Sequence, residues 1–201
     1  MKISSANRLL LLGAGLLAAY QIAIGIDRMD AEPIAAYTIA FGALLVSALL
    51  LIILGFDALE APAVVVISTV IPLTLSLGLI WQYAAAWRSA YLAFAVIAFL
   101  AVIISRAAPL KNELRVALIA LAHGVSGMVI FLLPILAAAQ AKANPLFALT
   151  GAGGAFIGIA GLLLSFLKMG KPILSKETAL RIFPVIFFFA TLFFVIGFKY
   201  R

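Results

Sequence analysis

The sequence predicts an all-α, polytopic membrane protein with seven transmembrane helices in a 3+1+3 pseudo-repeat bundle. Three observations predict it. Of the 201 residues, 67% are hydrophobic and 10% charged, with a mean hydropathy of +1.28; an ordinary soluble domain is roughly half apolar and a quarter charged. Polar turns cut the chain into seven apolar runs, each close to the ~20 residues that cross a bilayer as a helix. Finally, residues 33–54 align without gaps on residues 145–166 at a shift of 112, with nine identities in 22 positions.

The expected spans follow in order. Residues 9–26 form the first. Lys2, Arg8 and the Leu9–Leu12 run resemble a secretory signal, and the segment is read as a helix that stays in the chain. A polar turn holds Asp27, Arg28, Asp30 and Glu32 before the second span, 33–56; Asp57 and Glu60 mark the next turn. The third span, 62–83, contains Pro72. The fourth, 87–105, is followed by Arg106, Lys111, Glu113 and Arg115, and the fifth, 114–139, contains Pro134. The sixth, 144–167, opens on Asn144-Pro145, where Asn caps free N–H groups and Pro gives up a donor that has no partner. The seventh, 179–198, follows the most basic loop, with Lys168, Lys171, Lys176 and Arg181 around it.

These spans make one transmembrane domain over residues 1–201: a half-repeat 9–83, a linker helix 87–105 and a half-repeat 114–198. The repeat pairs Thr38 with Thr150 and Gly42 with Gly154, and the same shift carries Pro72 onto Pro184. Corresponding helices are four spans apart, so the halves point the same way through the membrane. This plan is similar to that of the SWEET sugar transporters; the resemblance is architectural, and no residue roles carry over.

Charge sets the expected topology. The N-terminus and the loops after helices two, four and six hold nine Lys and Arg; the other side holds five. That excess places the N-terminus in the cytoplasm and the C-terminus opposite, in a membrane expected to be a prokaryotic cytoplasmic membrane. The formal charge of +7 therefore reflects topology signals and lipid contacts, not nucleic acid. The absence of cysteine excludes disulfides, thiolate metal sites and cysteine nucleophiles.

Chemistry has few places to sit. No Asp, Glu, Lys or Arg falls in the middle of a span, which argues against an ion-coupled pump. Helix seven has no mid-span lysine for a retinal Schiff base. His123 is the only histidine, with Ser126 nearby: at most a lone axial ligand to a chlorin or haem, otherwise a packed imidazole with one hydrogen bond. No other metal site is expected. In helix three, Thr69, Pro72 and Ser76 share a face, where proline frees backbone acceptors that could meet a solute; the plainer reading is hydroxyls bonded to their own helix. Thr38 and Thr150 offer a pseudo-symmetric pocket or two such local bonds. Gly151, Gly154, Gly158 and Gly161 line one face of helix six, to seat a neighbouring helix or the flat tail of a lipid, quinone, carotenoid or chlorin. The seven phenylalanines of helix seven, running all round it, are expected to face lipid or a partner subunit. Trp81, Gln82, Tyr83 and Trp87 read as interfacial anchors.

Two functions fit. The first is a non-catalytic auxiliary or scaffold subunit of a larger membrane complex, in contact with lipids and other membrane subunits and holding lipid or pigment. The alternative is a small facilitator for an uncharged or lipophilic solute. A polar cavity reaching mid-membrane beside Pro72 favours the facilitator; a packed interior with outward grooves favours the subunit.

Overall fold

Each predicted run folds as a helix, and the local sequence explains where most of them begin and end. The computed structural model describes residues 3–26, 29–168, 170 and 172–201, without the side chains of Ser165 and Lys168. The expected turn residues Asp27 and Arg28 and the loop residue Lys171 lie outside the described residues. Helix α1, Ser5–Ile24, starts four residues earlier than expected because the Ser4 hydroxyl accepts from the Asn7 N–H at 3.2 Å. It stops at Gly25, whose φ of +68° suits glycine. Helix α2 spans Ala31–Leu54 and continues into a 3-10 turn, Gly55–Glu60, so the predicted Asp57–Glu60 turn is itself helical.

Helix α3, Pro62–Tyr83, has the predicted bounds, with Pro62 in its first turn. Helix α4 covers Arg88–Ala107 and α5 covers Asn112–Ala139. Asn144 caps the sixth helix as expected, its side chain accepting from the Leu146 N–H at 2.9 Å; a short 3-10 turn then leads into α6, Ala148–Lys168. Helix α7, Lys176–Lys199, is capped by Ser175. Among the described residues the protein is all-helical, and seven helices are long and apolar enough to span a membrane.

Six helices form a ring in the order α1, α2, α3, α5, α6, α7 and back to α1, while α4 packs outside against α3 and α5. Contacts at the two ends fix the sides. At the end holding the N-terminus (the N-side), Asn7 donates to the Arg181 carbonyl and Lys176 pairs with Glu60. At the opposite C-side, Phe198 meets Tyr37, Phe41 and Phe147 at centroid distances of 4.5, 5.7 and 5.9 Å, and Tyr83 meets Phe147.

Helix α7 corrects an expectation. Its phenylalanines do not simply face outward: Phe187, Phe194 and Phe198 are buried, and of the seven only Phe189, at 40%, is exposed. Glycines on the neighbours make the room. A Cβ on Gly153 of α6 would stand 2.7 Å from the Phe194 ring, and one on Gly13 of α1 would stand 2.8 Å from Phe188. Where apolar lipid already surrounds the helices, such shape matching is a main source of association.

Candidate functional site

The hydroxyls of α3 turn onto their own helix. Thr69 donates to the Val65 carbonyl at 2.8 Å, Thr74 to Val70 at 2.7 Å, and Ser76 to Pro72 at 2.5 Å. Tyr91 of α4 donates to the Ser76 oxygen at 2.8 Å. Thr69, Pro72 and Ser76 are all buried, as are Leu73, Leu75 and Leu79 of the same helix.

His123 is half-buried on α5, and its Nδ1 stands 3.0 Å from the Ile119 carbonyl. A carbonyl only accepts, so Nδ1 carries the proton, and in the neutral ring Nε2 keeps the lone pair. Ser126, fully buried, is bonded to the Ala122 carbonyl rather than to the imidazole. Among the described residues no three of His, Asp and Glu stand together as a metal site.

Thr38 and Thr150 do not share a pocket. Thr38 is exposed on the outside of α2, whereas Thr150 is fully buried beside Gly197 of α7 and its hydroxyl has no hydrogen-bond partner. The next pair behaves alike: Ile39 points outward and Gly151 is buried. Under the 112-residue shift, then, the buried faces of α2 and α6 are out of phase.

The glycine face of α6 divides in two. A Cβ on Gly151 would meet the Phe131 main-chain oxygen at 2.5 Å, and one on Gly154 would meet Ile130 at 2.7 Å. Those contacts fix an antiparallel register with α5. Two turns further toward the N-side, the same register brings Gly158 and Gly161 opposite Gly127, Gly124 and His123. There a Cβ on any of these four glycines would meet nothing within 4 Å. The glycine face of α6 is thus covered at Gly151 and Gly154 and uncovered at Gly158 and Gly161.

Two cavities lie at the rim of the bundle. A shallow one is lined by Trp81, Arg88, Leu92 and Val96; another, of about 220 Å³, sits under the Lys176–Glu60 pair beside Phe56 and Leu180. Some residues carry more than sequence reasoning assigned them. Gln82 is not merely an anchor: it accepts from the buried Tyr37 hydroxyl at 2.5 Å and its amide approaches Met29. Gly78 makes room for the Tyr37 ring, with a Cβ position 2.5 Å from it. The adjacent pair Gly153-Gly154 was the available signal that α6 meets two helices closely, one on each side.

Compared with protein-family models, curated proteins and solved structures, the chain matches none.

Proposed function

We propose that the protein is a non-catalytic auxiliary or scaffold subunit of a larger membrane complex, with the uncovered Gly158–Gly161 face of α6 holding a lipid or pigment tail. The observation that supports this best is the contrast between inside and outside. The residues beside Pro72 are buried, and the hydroxyls of Thr69 and Ser76 are satisfied within α3 and by Tyr91. The open features are outward: the Gly158–Gly161 groove, and exposed Ile159 and Leu162 next to it. An apolar face of that kind accepts a lipid tail or another helix. The N-side is assigned to the cytoplasm by the nine-to-five excess of Lys and Arg.

The bundle is read as two triple-helix halves joined by α4. Neighbour order supports this: the pairs α1–α2, α2–α3 and α3–α5 have counterparts in α5–α6, α6–α7 and α7–α1. So do Pro72, Leu75, Gly78 and Leu79, which shift by 112 onto Pro184, Phe187, Ala190 and Thr191, every one of them buried. The α2–α6 pair keeps the place but not the rotation.

A photo-crosslinking residue at Ile159 or Leu162 in native membranes tests the subunit reading. Adducts to a second polypeptide are expected; adducts to lipid alone would contradict it. The facilitator reading draws on the two buried prolines, which could act as hinges, and predicts solute flux in liposomes that stiffening at Pro72 abolishes.

A further inference from the structure

Independently of the subunit reading, we infer that the outer face of α4 holds one anionic phospholipid, its phosphate on Arg88 and one acyl chain in the cavity beside it. That cavity, of about 510 Å³, lies open along the outside of the bundle. Trp81 and Arg88 line its polar end at the C-side, and Leu92, Val96 and Ile97 line its apolar length. Ala93 lies among them, and its small side chain leaves room between the larger ones.

Arg88 is held in place without being used up. Trp81 stands in the last turn of α3, where a main-chain carbonyl has no partner within its own helix. Nε and Nη2 of Arg88 both donate to that carbonyl, at 3.0 and 2.6 Å, and the guanidinium lies 5.7 Å from the centre of the Trp81 ring. These bonds account for the arginine as a cap on α3. They leave Nη1 without a partner in the chain, and that atom is not enclosed by protein. Among the described residues no carboxylate pairs with Arg88, and the first turn of α4 holds no acid. A positioned, accessible guanidinium edge with free N–H donors suits a phosphate oxygen.

Depth selects a lipid over a free anion or a crossing helix. Trp81 and the exposed Trp87 mark headgroup level at this end of α4. From Arg88 to Ile97 the cavity follows α4 for about 14 Å, close to half of the ~30 Å hydrocarbon core. That is the reach of one leaflet. An acyl chain fills it below a phosphate on Arg88, whereas a partner helix would follow α4 through both leaflets.

The test uses the full chain purified in mild detergent. Native mass spectrometry compares phosphatidylglycerol with phosphatidylcholine of matched chains, which carries the same phosphate beside its own cation. A phosphatidylglycerol with a photoreactive acyl chain reports where that chain lies. Wild type should retain one phosphatidylglycerol in preference to phosphatidylcholine, with adducts at residues 89–97. Arg88→Gln should weaken phosphatidylglycerol retention about tenfold, the size of one charge-assisted hydrogen bond. Because that change also frees the Trp81 carbonyl, Ala93→Phe serves as the second variant. It fills the cavity from an exposed position, leaves Arg88 in place, and should remove the adducts at 89–97. Lys142→Gln removes an exposed charge on the same side and should leave retention unchanged. Full retention by Arg88→Gln, equal loss in Lys142→Gln, or wild-type adducts outside α4 would overturn the site. Equal retention of both lipids by wild type would overturn the anionic assignment.

Discussion

Gly151 of α6 lies directly on the main-chain oxygen of Phe131 in α5: a Cβ at Gly151 would stand only 2.5 Å from it. One turn on, Gly154 makes the same kind of approach to Ile130. These two contacts bring α5 and α6 close together on the C-side and act as the closed end of a wedge. Beyond them a Cβ on Gly158 or Gly161 would meet nothing within 4 Å.

The first prediction follows from that wedge. Gly151→Ala drives a methyl into backbone that cannot rotate away, and should destabilise by about 1–3 kcal/mol. Gly158→Ala and Gly161→Ala meet open space and should be neutral or stabilising by up to about 1 kcal/mol. Thermal unfolding in one detergent compares them; equal loss in both sets would contradict the wedge.

Gly197 and Thr150 give a second. A Cβ on Gly197 would stand 2.7 Å from the Thr150 main-chain nitrogen, so Gly197→Ala should lower stability. Thr150→Val replaces an enclosed hydroxyl that has no partner with a methyl of similar shape, and should raise stability by about 1 kcal/mol. A drop in the Val variant would mean that the hydroxyl has a partner.

Tyr37 and Gln82 link α2 to α3 through one buried bond. Tyr37→Phe leaves the Gln82 oxygen without its donor and should cost about 1–2 kcal/mol. With Gln82→Leu added, the double mutant should lose less than the sum of the single losses. Strict additivity would show that the bond contributes nothing.

His123→Leu removes a single bond to the Ile119 carbonyl in its own helix and should change stability by less than about 1 kcal/mol, with assembly intact. Loss of a bound chromophore in this variant, read by visible absorbance, would show that His123 is a ligand rather than a packed side chain.

The spans were legible because a bilayer-length apolar run between polar turns admits little besides a helix, and caps such as Asn144 are local. Helix rotation was harder to read. In α6, where nearly every residue is apolar, neither Gly151 nor Gly158 announces whether it meets a neighbour or open space, since that depends on the angle at which α5 crosses. Likewise the shared Thr38 and Thr150 left a common pocket and two local bonds equally open, because identity does not fix phase, and a partial turn of α6 relative to α2 puts one outside and one inside. The phenylalanines of α7 looked lipid-facing because composition carries no direction; Gly13 and Gly153, on other helices, decide where Phe188 and Phe194 go. Gln82 read as an anchor because its partner, Tyr37, is 45 residues away.

The central claim is that this bundle works as part of a larger assembly. Gentle extraction from native membranes, followed by sizing with visible absorbance recorded across the profile, tests it most directly. The account predicts that the 21.2 kDa chain migrates with a much larger species containing other membrane polypeptides identifiable by mass. A colourless species of the chain's own mass, or a small multiple of it, would contradict the account and direct the next experiment to liposome uptake.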